Sequence, residues 1–216
     1  HALAYAQDRK QGKTKTGEGK DSILGHADVR RMLTTMKADV FAARAIAVCN
    51  AVAIDMANAT GDKAWKARAA LLTPITKAFG TDTGIAVADM GLQVHGGMGF
   101  VEETGAAQFC RDVRVTAIYE GTNGIQAMDL VARKMMDGGE AAMALLDEVA
   151  EDVEAAKAVF PRLAAEVWEA TESMREATEW LLSQTDLQER FAGAVPYLHA
   201  FARILGAHLH LKAAVA

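Results

Sequence analysis

The chain has 216 residues, 51% of them hydrophobic, which is enough to bury one sizeable core or two small ones. Its formal net charge of −5 argues against a nucleic-acid-binding protein, because phosphate binding requires a concentrated excess of lysine and arginine. Cys49 and Cys110 lie far apart without metal-type spacing, no apolar run reaches about 18 residues, and the N-terminus lacks a signal-peptide pattern, so we expect a soluble cytoplasmic protein that inserts in no membrane.

The first residues, His1 to Arg9, are predicted to be helical without any capping residue before them. We therefore expect that the polypeptide is part of a longer protein. The following stretch, Lys10 to Asp21, is rich in lysine, threonine and glycine, and a mobile surface loop is favoured there over a phosphate-binding patch.

Abundant alanine, scarce proline and the absence of β-branched runs predict an all-α protein. A long helix over about 22–59 should bury one face, formed by Val29, Leu33, Met36, Val40, Ala43, Ala47, Ala51 and Ile54. After Gly61-Asp62 a second helix should run to about Ala78 and end at Phe79-Gly80. A third should begin at Thr81 or Asp82 and end at Gly96-Gly97.

The next region predicts a short helix over about 102–110, an irregular strip over 112–121, and a helix capped by Thr122 that reaches about Met136. Asp137-Gly138-Gly139 marks the clearest boundary. Beyond it, Pro161 can start a helix and another should follow Pro196. The buried face of the first of these two helices should contain Leu163, Val167, Ala170, Met174, Ala177 and Leu181.

These elements predict an up-down helical bundle over residues 1–137 and an appended helical segment over 138–216. A coiled coil with a partner is an alternative for the apolar faces, although the repeats are short for one. Trp168 and Trp180 are expected to be core or interface residues. His208 and His210 lie two residues apart and cannot share a helix face, so no metal site is expected.

Two segments could carry chemistry. In Gly91 to Phe100, glycines directly after a helix would let backbone amides approach an anionic group, but the third glycine of the dinucleotide fingerprint is missing. His95 within it is expected to be a satisfied loop histidine. In 118–122, the carboxylate of Glu120 lies between an aromatic residue and Gly-Thr. On local grounds alone, Glu120 would be read as a helix-start residue that complements the helix dipole.

The order and spacing of three motifs resemble the C-terminal domain of the acyl-CoA dehydrogenase family over nearly all of residues 1–136. The motifs are Gln93 to Phe100, then Cys110-Arg111-Asp112, then Ile118 to Thr122 with Gln126. The segment after Gly139 resembles, more loosely, the extra helical module of longer members, which include bacterial enzymes acting on methylthio-propanoyl-CoA.

The resemblance implies that Glu120 is the catalytic base, which removes the α-proton of an acyl-CoA thioester while hydride passes to FAD. It assigns Gln93, Gly96, Gly97 and Arg9 to the FAD of a neighbouring subunit. Thr122 would contact the FAD of its own subunit. A homodimer or homotetramer is therefore expected.

The resemblance also implies that electrons pass on to an electron-transferring flavoprotein. Members of the family carry an N-terminal and a middle domain before this region, so this chain alone is expected to be inactive. Gly124 departs from the family, because many members have a glutamine there. A structural oligomerisation module without catalysis and an acyl-CoA oxidase are the two alternatives.

Overall fold

A computed structural model describes residues 1–14 and 21–216, and these form an all-helical structure, as the sequence predicts. The α-helices are α1 (Ala2–Asp8), α2 (Ala27–Thr60), α3 (Lys63–His95), α4 (Gly97–Phe100), α5 (Ala106–Val113), α6 (Asn123–Val131), α7 (Glu140–Ala156), α8 (Pro161–Ser183), α9 (Leu187–Ala192) and α10 (Ala194–Val215). Short 3-10 helices cover Ile23–Gly25, Glu102–Thr104, Arg114–Ala117 and Arg133–Met135.

Half of the predicted surface loop over Lys10 to Asp21, residues 15–20, falls outside the described residues. At its edges, Lys10 and Ser22 form an isolated antiparallel bridge, and the backbone N–H of Thr14 donates to the Asp21 carboxylate over 3.1 Å. These contacts describe only the two ends of the segment.

The chain divides into two compact units, which are described separately. The first unit comprises His1–Val40 and Thr81–Ile118, and its core contains Ala2, Ala6, Ile23, Met32 and Val94. The second comprises Phe41–Gly80 and Tyr119–Ala216, and its larger core joins apolar residues of α2, α3, α6, α7, α8 and α10. This second unit contains residues from both sides of Asp137, and the boundary at residue 137 stays a prediction about sequence modules.

Helix α2 has the predicted extent, and the predicted Val29, Leu33 and Met36 pack against the core of the first unit, but the buried face of its second half differs from the predicted one. The buried residues in its second half are Ala42, Ile46, Asn50, Ala53 and Ala57. The predicted Val40, Ala51 and Ile54 are exposed. The true face is rotated by one residue, about 100°. Because alanine and valine surround this helix on several sides, the apolar spacing fits more than one face.

Helix α2 is also long and apolar enough, by length and composition, to cross a membrane. A single helix of this kind is weak evidence for a membrane span, because long core helices of soluble proteins meet the same criteria.

The predicted break at Phe79-Gly80 is wrong, because α3 continues without interruption from Lys63 to His95. A glycine inside a helix costs about 1 kcal/mol relative to alanine. Burial of Ile75, Ala78 and Phe79 in the preceding turns offsets that cost. The predicted end at Gly96-Gly97 is correct, since Gly96 has a φ of 61°.

The region after α4 is more helical than predicted. The short helix expected over 102–110 is a 3-10 turn followed by α5, which extends to Val113, and the strip expected to be irregular contains the 3-10 helix Arg114–Ala117. Further on, α6 ends at Val131, and a 3-10 turn reaches Met135. The 3-10 turns keep local backbone hydrogen bonds where no long helix forms.

Helix α8 begins at Pro161 as predicted, and Val167, Met174 and Leu181 lie on its buried face. Between them, however, the fully buried residues are Thr171 and Thr178, while Ala170 and Ala177 are exposed. Each threonine hydroxyl donates over 2.7 Å to the carbonyl four residues earlier. A hydroxyl satisfied within its own helix can be buried at little cost.

The other predicted members of the α8 face and the two tryptophans are exposed. Leu163 lies outside the core, and Trp168 and Trp180 are 40% and 52% exposed. A core role for both tryptophans is therefore wrong, and an interface role stays a prediction. Amphipathic indole rings on a helix surface are common at protein interfaces.

Helix α6 lies under the last part of the chain. Both α9 and α10 pack against it, and α10 also packs against α7 and α8. Leu130 and Val131 of α6 share the core of the second unit with Leu198 and Phe201 of α10. The appended segment therefore buries one side of the helix that follows the Glu120 motif.

Candidate functional site

The turn that carries Glu120 lies in the second unit, between the 3-10 helix Arg114–Ala117 and α6. Glu120 has a φ of 52°, and it is the one non-glycine residue with positive φ in the described part of the chain. Gly121 follows with a φ of 85°. A side-chain-bearing residue in this region costs about 1–3 kcal/mol and persists only where surrounding contacts fix it. Such strain clusters at functional sites.

Thr122 caps α6 as predicted. Its hydroxyl accepts from the backbone N–H of Ile125 over 3.4 Å, and its carbonyl accepts from the N–H of Gln126 over 3.0 Å. The side chain of Gln126 turns back and donates to the Glu120 carbonyl over 3.2 Å. The cap thus fixes where the helix begins relative to the strained residue.

A lysine from α3 reaches the same turn. The ammonium of Lys77 donates to the Gly121 carbonyl over 2.8 Å and to Oδ1 of Asn123 over 2.7 Å. The Asn123 amide in turn donates to the Ala78 carbonyl over 3.3 Å. The turn is therefore tied to α3 at two successive places.

Sequence reasoning did not single out Lys77 or Asn123. The available signal was local, since Lys77 lies in the mostly apolar stretch Pro74 to Phe79, where Ile75, Ala78 and Phe79 are buried. A charged residue at such a position usually has a specific partner.

The Glu120 carboxylate itself is exposed in this chain. The described residues of the chain do not bury this group. A water-poor pocket for Glu120 would need to come from other parts of a larger protein. Tyr119 and Ile118 beside it are exposed as well.

The glycine-containing segment Gly91 to Phe100 lies in the first unit. Arg9, Gly96 and Gly97 line one cleft of about 260 Å³, together with Tyr5, Gln11, Ile23, Val94, His95 and Met98. Gln93 is exposed beside it, and its carbonyl accepts from the N–H of Gly96 over 3.0 Å. The structure thus groups three of the four predicted residues in a single cleft.

The two glycines leave open space. Apart from adjacent residues and nearby backbone of the same helix, no atom of the described residues lies within 4 Å of the position that a Cβ would occupy at Gly96 or Gly97. The Arg9 side chain is exposed, so the cleft combines a cation with bare backbone. A cleft of this kind suits an anionic group such as a phosphate.

His95 is buried and ends α3, so the expectation of a loop histidine is wrong in its position. Its Nδ1 lies 2.6 Å from the Gly91 carbonyl, which satisfies that nitrogen, whereas its Nε2 is buried without a hydrogen-bond partner in the described chain. The ring stacks on Tyr5 and on His1, with centroid distances of 4.3 and 4.9 Å. Only one of its two nitrogens is therefore satisfied.

The second unit contains a buried polar cluster. His208 is buried and its Nε2 lies 2.7 Å from the Asp152 carboxylate, which also accepts from Lys212 over 2.8 Å. His210 packs its ring against Phe41. Within residues 1–14 and 21–216, no group of three metal-ligating side chains occurs. Cys49 and Cys110 are both half-buried free thiols.

Comparison with known proteins identifies two family models. Residues 1–136 match the model described as "Acyl-CoA dehydrogenase, C-terminal domain", and residues 142–216 match "Acetyl-CoA dehydrogenase C-terminal like". The chain is 39% identical over 209 residues to the 3-methylmercaptopropionyl-CoA dehydrogenase of Ruegeria pomeroyi, which covers 92% of this chain and 36% of that protein. It is 32% identical to a butyryl-CoA dehydrogenase of Syntrophomonas wolfei, covering 97% of this chain and 36% of that protein.

Solved structures resemble the fold over almost the whole chain. The apo form of Bd2924 and ACDH-11 of Caenorhabditis elegans in complex with C11-CoA each give a TM-score of 0.71 at 18% identity. Each match covers 98% of this chain but only 37% and 36% of the solved chains. The chain thus spans little more than a third of the length of the relatives that it matches.

Proposed function

Because the chain belongs to the acyl-CoA dehydrogenase family, we propose that it is the C-terminal part of an FAD-dependent acyl-CoA dehydrogenase in which Glu120 is the catalytic base. The observation that carries this proposal is the turn at 120–122. Glu120 lies in this turn with a strained positive φ, directly before the capped helix α6, at the position where the family motif has its base. A base needs this kind of fixed placement to meet a proton on a bound substrate.

The residues of the first unit fit a cofactor phosphate. Arg9 would supply positive charge, and the open backbone at Gly96 and Gly97 would let amides approach the anion, with Gln93 beside them. FAD, when bound, supplies the hydride acceptor of the reaction. Because the resemblance assigns these residues to the FAD of a neighbouring subunit, we include a homodimer or homotetramer in the proposal.

The residues of the second unit would handle the substrate proton. The Glu120 carboxylate would take the α-proton of the thioester, and its backbone N–H would donate to the thioester carbonyl, where negative charge develops. Thr122 would contact the cofactor of its own subunit and also cap α6, which keeps the turn in place. Water would need to be excluded by other domains, because Glu120 is exposed in this chain.

The test uses the full-length gene product with butyryl-CoA and 3-methylmercaptopropionyl-CoA as probes. The flavin absorbance should bleach under anaerobic conditions when one of these thioesters is added. Glu120→Gln should keep its flavin but lose bleaching by at least about 10²-fold, the scale of a general-base contribution. Glu151→Gln, an exposed glutamate of the same unit, is the control and should bleach at the unmodified rate.

Unchanged bleaching in Glu120→Gln would contradict the assignment of the base. A full-length product that binds flavin but bleaches with neither these nor longer acyl-CoA probes would instead favour the structural oligomerisation module. Peroxide release in proportion to substrate would favour an oxidase. Our proposal also includes an electron-transferring flavoprotein as partner, a cytoplasmic location and inactivity of this chain alone. Dependence of turnover on an added electron-transferring flavoprotein would support that partner.

A further inference from the structure

We infer that Lys77 is a positioning residue, which holds the Glu120 turn in its productive conformation from helix α3. This inference rests on the proposed function of Glu120. Lys77 acts through the backbone, and no contact between its ammonium and a substrate is implied.

The contacts restrain successive parts of the turn. The Glu120 carbonyl accepts from Gln126, and the next carbonyl, that of Gly121, accepts from Lys77. Lys77 also holds Oδ1 of Asn123 over 2.7 Å, on the other side of Thr122. Because these bonds act on the two peptide units after Glu120, they limit the rotations that would relax its positive φ.

The position of Lys77 explains why a lysine is used. The side chain is half-buried and leaves α3 among Ile75, Ala78 and Phe79, which are buried. An ammonium in such surroundings is stable only when it donates hydrogen bonds, and here it has two short ones. A lysine side chain is long enough to cross from a helix to a carbonyl in a neighbouring turn, and its three N–H donors let it bond two acceptors at once.

The return contact from Asn123 to the Ala78 carbonyl completes the tie. Helix α3 both donates to and accepts from the segment that carries the base. A displacement of about 1 Å at a reacting group can reduce a rate by about 10²-fold. Loss of Lys77 should therefore change the chemical step more than substrate binding.

The experiment compares Lys77→Met with Lys66→Met in the full-length gene product. Methionine keeps the unbranched apolar shape but cannot donate, and Lys66 is an exposed lysine of the same helix. For Lys77→Met we expect flavin reduction per bound flavin, and exchange of the substrate α-proton with solvent deuterium, to fall together by about 10–10²-fold. KM should change by less than about threefold, as expected when an interaction mainly supports the transition state.

A merely structural role predicts another result, in which flavin content falls but the rate per bound flavin matches that of Lys66→Met. That result would overturn the inference. If Lys77→Met yields too little folded protein, Asn123→Leu replaces it, since it removes one acceptor of Lys77 and the bond to Ala78. Its rate per bound flavin should fall by about 3–10-fold, less than in Lys77→Met because the bond from Lys77 to Gly121 remains, and a rate equal to that of the control would also overturn the inference.

The two proposals fail in different ways. Bleaching that survives Glu120→Gln contradicts the assignment of the base. Bleaching that Glu120→Gln abolishes, but that is equally fast in Lys77→Met and Lys66→Met, contradicts only the positioning role.

Discussion

Replacing Gly206 with alanine should destabilise the protein, because α10 passes very close to α2 at this residue. A Cβ built on Gly206 would lie 2.8 Å from the Cβ of Ala42. Carbon atoms in ordinary contact are about 3.5–4.0 Å apart, so the two helices would need to separate by roughly 1 Å. Overpacking of this kind typically costs about 1–3 kcal/mol.

The net effect is smaller than the steric cost. Alanine is favoured over glycine in a helix by about 1 kcal/mol, which leaves a destabilisation of Gly206→Ala of up to about 2 kcal/mol. For a chain of this size, that corresponds to a fall in Tm of up to roughly 8 °C. Urea unfolding followed by circular dichroism, with the slope held constant, measures the same quantity.

The double variant Ala42→Gly with Gly206→Ala separates the clash from the propensity terms. In this variant the two methyl groups no longer meet, so it should be more stable than the sum of the single changes by about 1–3 kcal/mol. Additivity within about 0.5 kcal/mol would show that α10 does not approach α2 at these residues. The close packing of α10 against α2 within the second unit would then be incorrect.

Three further outcomes are expected. Gly80→Ala should stabilise the protein by about 0.5–1 kcal/mol in urea unfolding, because α3 is continuous there and no atom of another described element lies within 4 Å of the added Cβ. A loss of stability would contradict a regular helix at Gly80. Thr178→Val should cost about 1–3 kcal/mol, because the Thr178 hydroxyl hydrogen-bonds that of buried Tyr197 over 2.8 Å, and unchanged stability would exclude this buried pair. Burial raises the pKa of Tyr197 to about 12 and the hydrogen bond to Thr178 opposes this effect, so the variant should raise the pKa further. The hydrogen bond from Arg68 holds the pKa of the Glu148 carboxylate below its usual range. The pair should therefore contribute stability at neutral pH, and this stability is lost as the pH falls through the lowered pKa. Glu148→Gln should flatten the acid limb of a stability-versus-pH curve, and an unchanged limb would refute the contribution.

Features set by neighbouring residues were predictable from the sequence. Thr122 caps α6 because a threonine before a helical run can accept from its own first turn. Gly96 ends α3 because glycine adopts positive φ without a Cβ penalty. Both conclusions need only a few residues in a row.

Features set by distant residues were not predictable in this way. The buried face of α2 could not be chosen by spacing, since alanine and valine occur on several sides. Thr171 and Thr178 are core residues because their hydroxyls are satisfied within α8. A pattern based on polarity predicts exposure for a threonine, because it does not show this hydrogen bond. The tie between Lys77 and Gly121 joins residues far apart in the sequence, and only the three-dimensional structure brings them together.

The candidate site was predictable only as a motif. Glu120, Thr122, Arg9, Gln93, Gly96 and Gly97 were identified by resemblance, and their roles stay predictions. What local physics could not supply was the positive φ of Glu120 or the open space at Gly96 and Gly97. Neither the φ of a glutamate nor the space around a glycine is fixed by the residue type alone.

The packing of α9 and α10 on α6 affects the order in which the regions of the chain fold during synthesis. Leu130 and Val131 leave the ribosome well before Leu198 and Phe201, which cover them in the folded core. Until α10 is synthesised, this side of α6 lacks its long-range contacts and exposes apolar surface. The segment next to Glu120 should therefore acquire its final rigidity only after α10 is synthesised, which makes the interval between the synthesis of α6 and that of α10 a period when chaperones matter.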